Sequence, residues 1–228
     1  MTTEPGTQAA APEAAGATPA RKASSLRWLA WGTGAAIEIR ATELLVAAVR
    51  VRPSGAALLG AARIPDYRTR PAVEWGAEVT SFLRKLGAGH VAVTALLPRS
   101  EVIVRVISLP GVAASDTEAA IRLQLDSLHP FSDEDAVFSF ARLGKTGDVL
   151  VGIARRETVD AWSTLFAEAG IKTAAFTFSA AAVYSAARLL NTPASIFVTA
   201  CRAEDDIEIY GESEARPLYT ATLPVAPE

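Results

Sequence analysis

One cysteine, two histidines and one methionine in 228 residues leave little material for redox or metal chemistry. Cys201 cannot close an internal disulfide, and His90 and His129 are too few for a ligand cluster. A reducing compartment suits such a chain. A long apolar run is missing too. The longest candidate, residues 174–190, is interrupted by polar groups including Arg188 and falls short of the roughly 20 apolar residues a bilayer span needs. Nor is a secretory leader expected, because Arg21 and Lys22 follow a low-complexity stretch rather than precede an apolar one. Charge of one sign is also lacking: 22 basic residues face 25 acidic ones, for a net charge of -3. That balance gives no electrostatic reason to expect nucleic acid or an anionic membrane as partner.

What the chain does have is 50% hydrophobic residues, enough for a substantial core. Residues 1–25 are rich in Ala, Pro, Gly and Thr with no bulky apolar side chain after Met1, and read as a disordered tail. Apolar runs of strand length then follow at 35–40, 44–51 and 56–64, the last two joined by Pro53-Ser54-Gly55. Trp75, Val79, Phe82, Leu83 and Leu86 recur at helical spacing before Gly87, and 91–97 reads as a strand covered on both faces.

A second unit opens with a strand at 102–109. Ser115-Asp116-Thr117-Glu118 has capping-box spacing, and the helix it predicts would carry Ile121, Leu125 and Leu128 on one face up to His129-Pro130. Strands at 136–141 and 149–154 follow, joined by a polar turn at 144–148. Gly144-Lys145-Thr146 in that turn resembles the end of a phosphate loop, but Ser139 stands where the first glycine is required. Phe138 and Phe140 lie two apart, which is core spacing. Val159, Trp162, Phe166 and Ala169 define the next helix, stopped by Gly170. A strand at 171–178, a helix through Val183, Ala187 and Leu190, and strands at 196–200, 207–210 and 218–223 complete the chain. The closing three strands echo the opening three, which predicts an α/β chain with mixed sheets.

Val102-Ile103-Val104-Arg105-Val106-Ile107-Ser108-Leu109-Pro110-Gly111, then Ala119-Ala120-Ile121-Arg122 and His129-Pro130-Phe131, resemble the middle of PilM proteins. The resemblance continues through Val149-Leu150-Val151-Gly152-Ile153-Ala154-Arg155-Arg156-Glu157 and Leu165-Phe166-Ala167-Glu168-Ala169-Gly170-Ile171, and extends over roughly residues 35–223. It takes in the related cytoplasmic part of GspL. It implies actin-like, ribonuclease H-like lobes with a small αβ insertion. The expected division is a tail at 1–25, a first actin-like subdomain at 26–99, the insertion at 100–156, and at 157–228 the rest of the first lobe with the start of an incomplete second. It further implies a cytoplasmic protein at the inner-membrane face of a type IV pilus or type II secretion machine. There it would hold the tail of a PilN-like bitopic protein and work beside an assembly-motor ATPase, peripheral to the membrane through its partners. Homo-oligomerisation is left open.

Family members carry Asp-Ile-Gly followed by hydroxyl residues and a lysine between the first two strands, where backbone N–H groups surround phosphates and the aspartate holds hydrated Mg²⁺. Here that stretch is Glu38-Ile39-Arg40-Ala41-Thr42-Glu43, with Leu45 in the place of the lysine. Arg40 removes the close backbone approach that glycine permits. Glu43 adds a like charge, and at about 4 Å two like charges cost about 4 kcal/mol even at an effective dielectric of about 20. Only Glu38 and Thr42 keep a role, and only if a nucleotide binds. The second loop, Thr199-Ala200-Cys201-Arg202-Ala203-Glu204-Asp205-Asp206, has no glycine. Arg40 and Arg202 facing one phosphate across a cleft is the compensating arrangement; ion-paired arginines are commoner.

The expectation is therefore a scaffold without catalytic residues, with Mg-ATP disfavoured, that grips an extended peptide in a groove between the first lobe and its insertion, near Leu109-Pro110 and the helix after it. The alternative is an active actin-like ATPase or sugar-kinase-like enzyme; a kinase would need an aspartate base, for which Asp66 and Asp126 are available and nothing singles either out. Trp28 and Trp31 beside Arg27 are expected to pack on the first lobe rather than to meet a lipid interface.

Overall fold

A computed structural model describes residues 31–143, 147–190, 196–202, 206–213 and 219–224. The tail expected at 1–25, Trp28 and the turn at 144–146 lie outside the described residues.

The opening apolar runs form β1 (Gly32–Ile39), β2 (Glu43–Arg52) and β3 (Gly55–Pro65), paired antiparallel. α1 (Ala72–Lys85) returns the chain to β4 (Val93–Leu97), which lies parallel to β1. Later in the chain α4 (Arg156–Glu168) leads to β8 (Thr173–Phe178), parallel to β4, so the five-stranded order is β3-β2-β1-β4-β8. The helical periodicity has the expected result: Trp75, Val79 and Leu83 on α1 and Trp162 and Phe166 on α4 are buried against Ile37, Leu44 and Val46 of the sheet. Trp75 meets Phe166 edge-on at 6.2 Å and Tyr67 edge-on at 6.1 Å, an arrangement the aromatic quadrupoles favour.

Between β4 and α4 the chain builds a second, three-stranded antiparallel sheet. Its strands β5 (Val102–Ser108), β6 (Ala136–Leu143) and β7 (Asp148–Arg155) lie in the order β5-β7-β6. Two short helices, α2 (Thr117–Arg122) and α3 (Leu125–Leu128), cover one face. Here the structure corrects the single capped helix expected from the sequence. Ser115 Oγ donates to Asp116 at 3.0 Å and Thr117 Oγ1 to the Ala113 carbonyl at 3.0 Å, so neither hydroxyl caps the helix. Gln124, at φ -113° and ψ 2°, then breaks the helix in two. Ile121, Leu125 and Leu128 are nonetheless all buried.

α5 (Ser179–Leu190) continues from β8 and leads to a third sheet, β9 (Phe197–Arg202), β10 (Asp206–Glu212) and β11 (Tyr219–Pro224), antiparallel in the order β11-β10-β9. Trp31 is 80% exposed, which corrects its own expected packing on the first lobe. Among the described residues no helix is long and apolar enough to cross a membrane.

Gly76 sets the spacing of α1 and α4, because a Cβ there would overlap the Ala169 carbonyl oxygen. Gly76→Ala is expected to destabilise the fold by about 1–3 kcal/mol through overpacking, despite the higher helix propensity of alanine. Urea denaturation checks this, and an unchanged or raised midpoint would refute the packing argument.

Candidate functional site

The turn joining β1 to β2 is closed by its own charges. Arg40 donates through Nε to Glu38 Oε1 at 3.0 Å, and its Nη1 lies 3.4 Å from Glu43 Oε1, which Arg63 also meets at 3.2 Å. The Arg40 backbone N–H donates to the Glu43 carbonyl at 3.1 Å. The segment after β3 satisfies the carbonyls of the turn in order. Tyr67 Oη donates to Arg40 O at 2.9 Å, Arg68 Nε to Ala41 O at 2.9 Å, and the Asp66 N–H to Thr42 O at 2.8 Å. Asp66 takes φ +53° to do so, an αL conformation that aspartate tolerates better than most residues. The Arg68 guanidinium also lies over the rings of Tyr67 and Trp162 at 5.3 and 5.4 Å. Glu38 is thus brought to Arg40, and Thr42 is exposed at the tip.

This turn does not fit a phosphate cradle. The amide that would approach the phosphate is spent on Glu43, and the arginine is spent on two carboxylates. Across from it, β9 and β10 present Cys201 beside a buried Glu208, which accepts from Tyr210 Oη. Burial pushes the Cys201 thiol pKa up, with the charges of Glu208 and Glu38 adding to it. Two carboxylates, Glu208 and Glu38, thus lie close enough to Cys201 to act on its thiol. The loop at 203–205 and the Arg202 side chain lie outside the described residues. Asp66 belongs to the clamp, and Asp126 is exposed on α3, in a different layer. His90 is exposed; His129 is buried at the end of α3, stacked on Phe131 at 4.6 Å.

A different place has the character of a binding groove. An apolar cavity of about 310 Å³ lies where the second sheet meets the first, between β6–β7 and the C-terminal ends of β4 and β8 with the start of α5. Leu97, Phe178, Ala181 and Val159 form one wall and Leu150, Gly152 and Ala154 the other. Gly152 is required there, because a Cβ would overlap the ring of Phe178. Residues 138–141 of β6 all line the cavity, so β6, at the border of its sheet, offers its edge as well as one face. Ser139 and Ala141 are exposed there, whereas Phe138 and Phe140 pack against the α2–α3 core.

Leu109 is 5% exposed inside that core, and its N–H donates to Gly147 O at 2.9 Å, so the groove expected beside Leu109-Pro110 is not where the cavity lies. Sequence reading expected a groove between the first lobe and the insertion but not this lining, because the walls come from residues about 20 to 80 positions apart, from Val137 and Val159 to Leu97 and Phe178.

Residues 60–199 match the family model described as type IV pilus assembly protein PilM. No curated protein matches the chain. Among solved structures, the chain is similar to one of a PilM–PilN type IV pilus biogenesis complex, with a TM-score of 0.67 and 23% identity over 85% of this chain. It spans 62% of the length of that relative. It is also similar to the cytoplasmic domain of EpsL, an inner membrane component of the type II secretion system of Vibrio cholerae. There the TM-score is 0.59 and the identity 12%, covering 85% of this chain and 71% of the other. At such identities the likeness is one of fold, and the fold is actin-like.

Proposed function

Since the chain belongs to the family of type IV pilus assembly protein PilM, we propose that it is a scaffold at the cytoplasmic face of an inner-membrane assembly platform, binding the extended tail of a PilN-like bitopic protein without turning over ATP. The observation that carries the reading is the groove. It is apolar, it is bordered by a strand with a free edge, and it sits at the carboxyl ends of two parallel strands. An added strand gains main-chain hydrogen bonds from such an edge and specificity from pockets for alternate side chains. The solved complex that contains PilN supports the choice of partner class.

The absence of turnover is proposed on the β1–β2 turn. Its arginine, two glutamates and tyrosine complete one another, so a triphosphate would have to break two ion pairs and meet two carboxylates. Opposite it, the carboxylate of Glu208 beside Cys201 adds to the cost of bringing negative charge there.

Ala141 is exposed in the groove, so Ala141→Glu should leave the fold intact while charging the apolar site. The wild-type chain is expected to retain a bitopic inner-membrane protein from native membranes, and the variant to lose it. Retention by both, or by neither, would count against the groove. Calorimetric titration with Mg-ATP is expected to give no heat; a dissociation constant in the micromolar range or tighter would restore the enzyme reading.

A further inference from the structure

The apolar groove runs into a strip where carboxylates outnumber cations. Val137 of β6 and Val159 of α4 line the groove, and beside them Asp135 and Asp160 line a shallow depression shared with Glu157 and Glu168. These four carboxylates are exposed, and among the described residues none of them has an ion-pair partner. Arg156 is the lone cation in the depression, and its Nε donates to the Glu134 carbonyl at 3.2 Å. Apolar walls ending in unpaired carboxylates complement a peptide that is apolar along one stretch and cationic beyond it.

The direction of that peptide follows from the sheet. Every pairing in β5-β7-β6 is antiparallel, so a strand added to β6 continues the pattern by running against it. β6 starts at Ala136, next to the acidic strip, and ends at Leu143, away from it. The C-terminal side of the peptide therefore meets the carboxylates. Segments flanking a membrane span on the cytoplasmic side are enriched in Lys and Arg. A cytoplasmic N-terminal tail has those cations between its apolar stretch and the span, which is the order this surface reads.

We propose that the Asp135–Asp160 strip is a second subsite, one that receives the juxtamembrane Lys/Arg residues of the bound tail, fixes its antiparallel direction and turns this end of the protein toward the membrane. This rests on the groove being the peptide site. At the rim, such charges act mainly on the association rate and on salt dependence.

The test is selection of a displayed library of randomised linear peptides, about the length of β6 and its flanks, on the full chain. Selected peptides are expected to carry alternating apolar residues followed on the C-terminal side by Lys or Arg. Their affinity should fall about tenfold in Asp135→Asn/Glu157→Gln/Asp160→Asn at low salt and converge with wild type as salt rises. Peptides that lose binding in Ala141→Glu but show no basic enrichment, or show it on the N-terminal side, would overturn the strip while leaving the groove standing. Peptides indifferent to Ala141→Glu would overturn the groove itself, and the strip with it. The triple variant changes exposed side chains only, and an unaltered circular dichroism melt would separate loss of binding from loss of fold.

Discussion

The ring of Phe178 lies against the bare backbone of Gly152, and the rest of the arrangement depends on that contact. Phe178 is the last residue of β8, in the large sheet, and Gly152 sits mid-strand in β7, in the small one. Burying a phenylalanine ring contributes about 1.5–3 kcal/mol. Here that stabilisation is spent across a joint, where it fixes how close the two sheets stand. The joint sets the groove width: Leu97 and Phe178, from the ends of parallel β4 and β8, stay on one side, and the edge of β6 stays on the other. Crevices outside the carboxyl ends of parallel strands are where α/β folds place their ligands, and this protein fills that position with an apolar channel.

The β1–β2 turn shows the opposite use of a site the fold makes available. A glycine there would leave the backbone open to an anion. Arg40 fills the place with a cation and then cancels it with Glu38 and Glu43, while residues 66–68 take up all three carbonyls of the turn. Exposed ion pairs contribute little singly, but Arg40 and Glu43 are largely sheltered and belong to one hydrogen-bonded network. The result is a rigid hairpin tip instead of a phosphate cradle, and the buried carboxylate of Glu208 beside Cys201 agrees with it.

What could be read from the sequence was whatever a local pattern controls. The 3.6-residue spacing of Trp75, Val79 and Leu83 and of Trp162 and Phe166 specifies two helices and their buried faces, and Gly170 at φ +70° ends the second as such a glycine should. The exchange of glycine for Arg40 was equally visible as a loss. Hidden were the contacts that close over distance. Tyr67 reaches the Arg40 carbonyl across 27 residues, and Phe178 meets Gly152 from a separate sheet. The capping signature at 115–118 was present but was outweighed, because the Ser115 hydroxyl donates to Asp116 and Glu118 accepts from Arg122 instead. The lining of the groove belongs to the hidden class: a groove between the first lobe and the insertion was expected, but at Leu109-Pro110, a conspicuous turn that in fact serves the small core.

Amide hydrogen exchange, with and without a saturating selected peptide, tests the central claim most directly, because a strand added to β6 must engage its free backbone edge. Protection concentrated in residues 136–143, with lesser slowing at the start of α5, is the predicted result. Protection confined to another edge, such as β3, with β6 unchanged, would contradict the account and place the binding surface elsewhere.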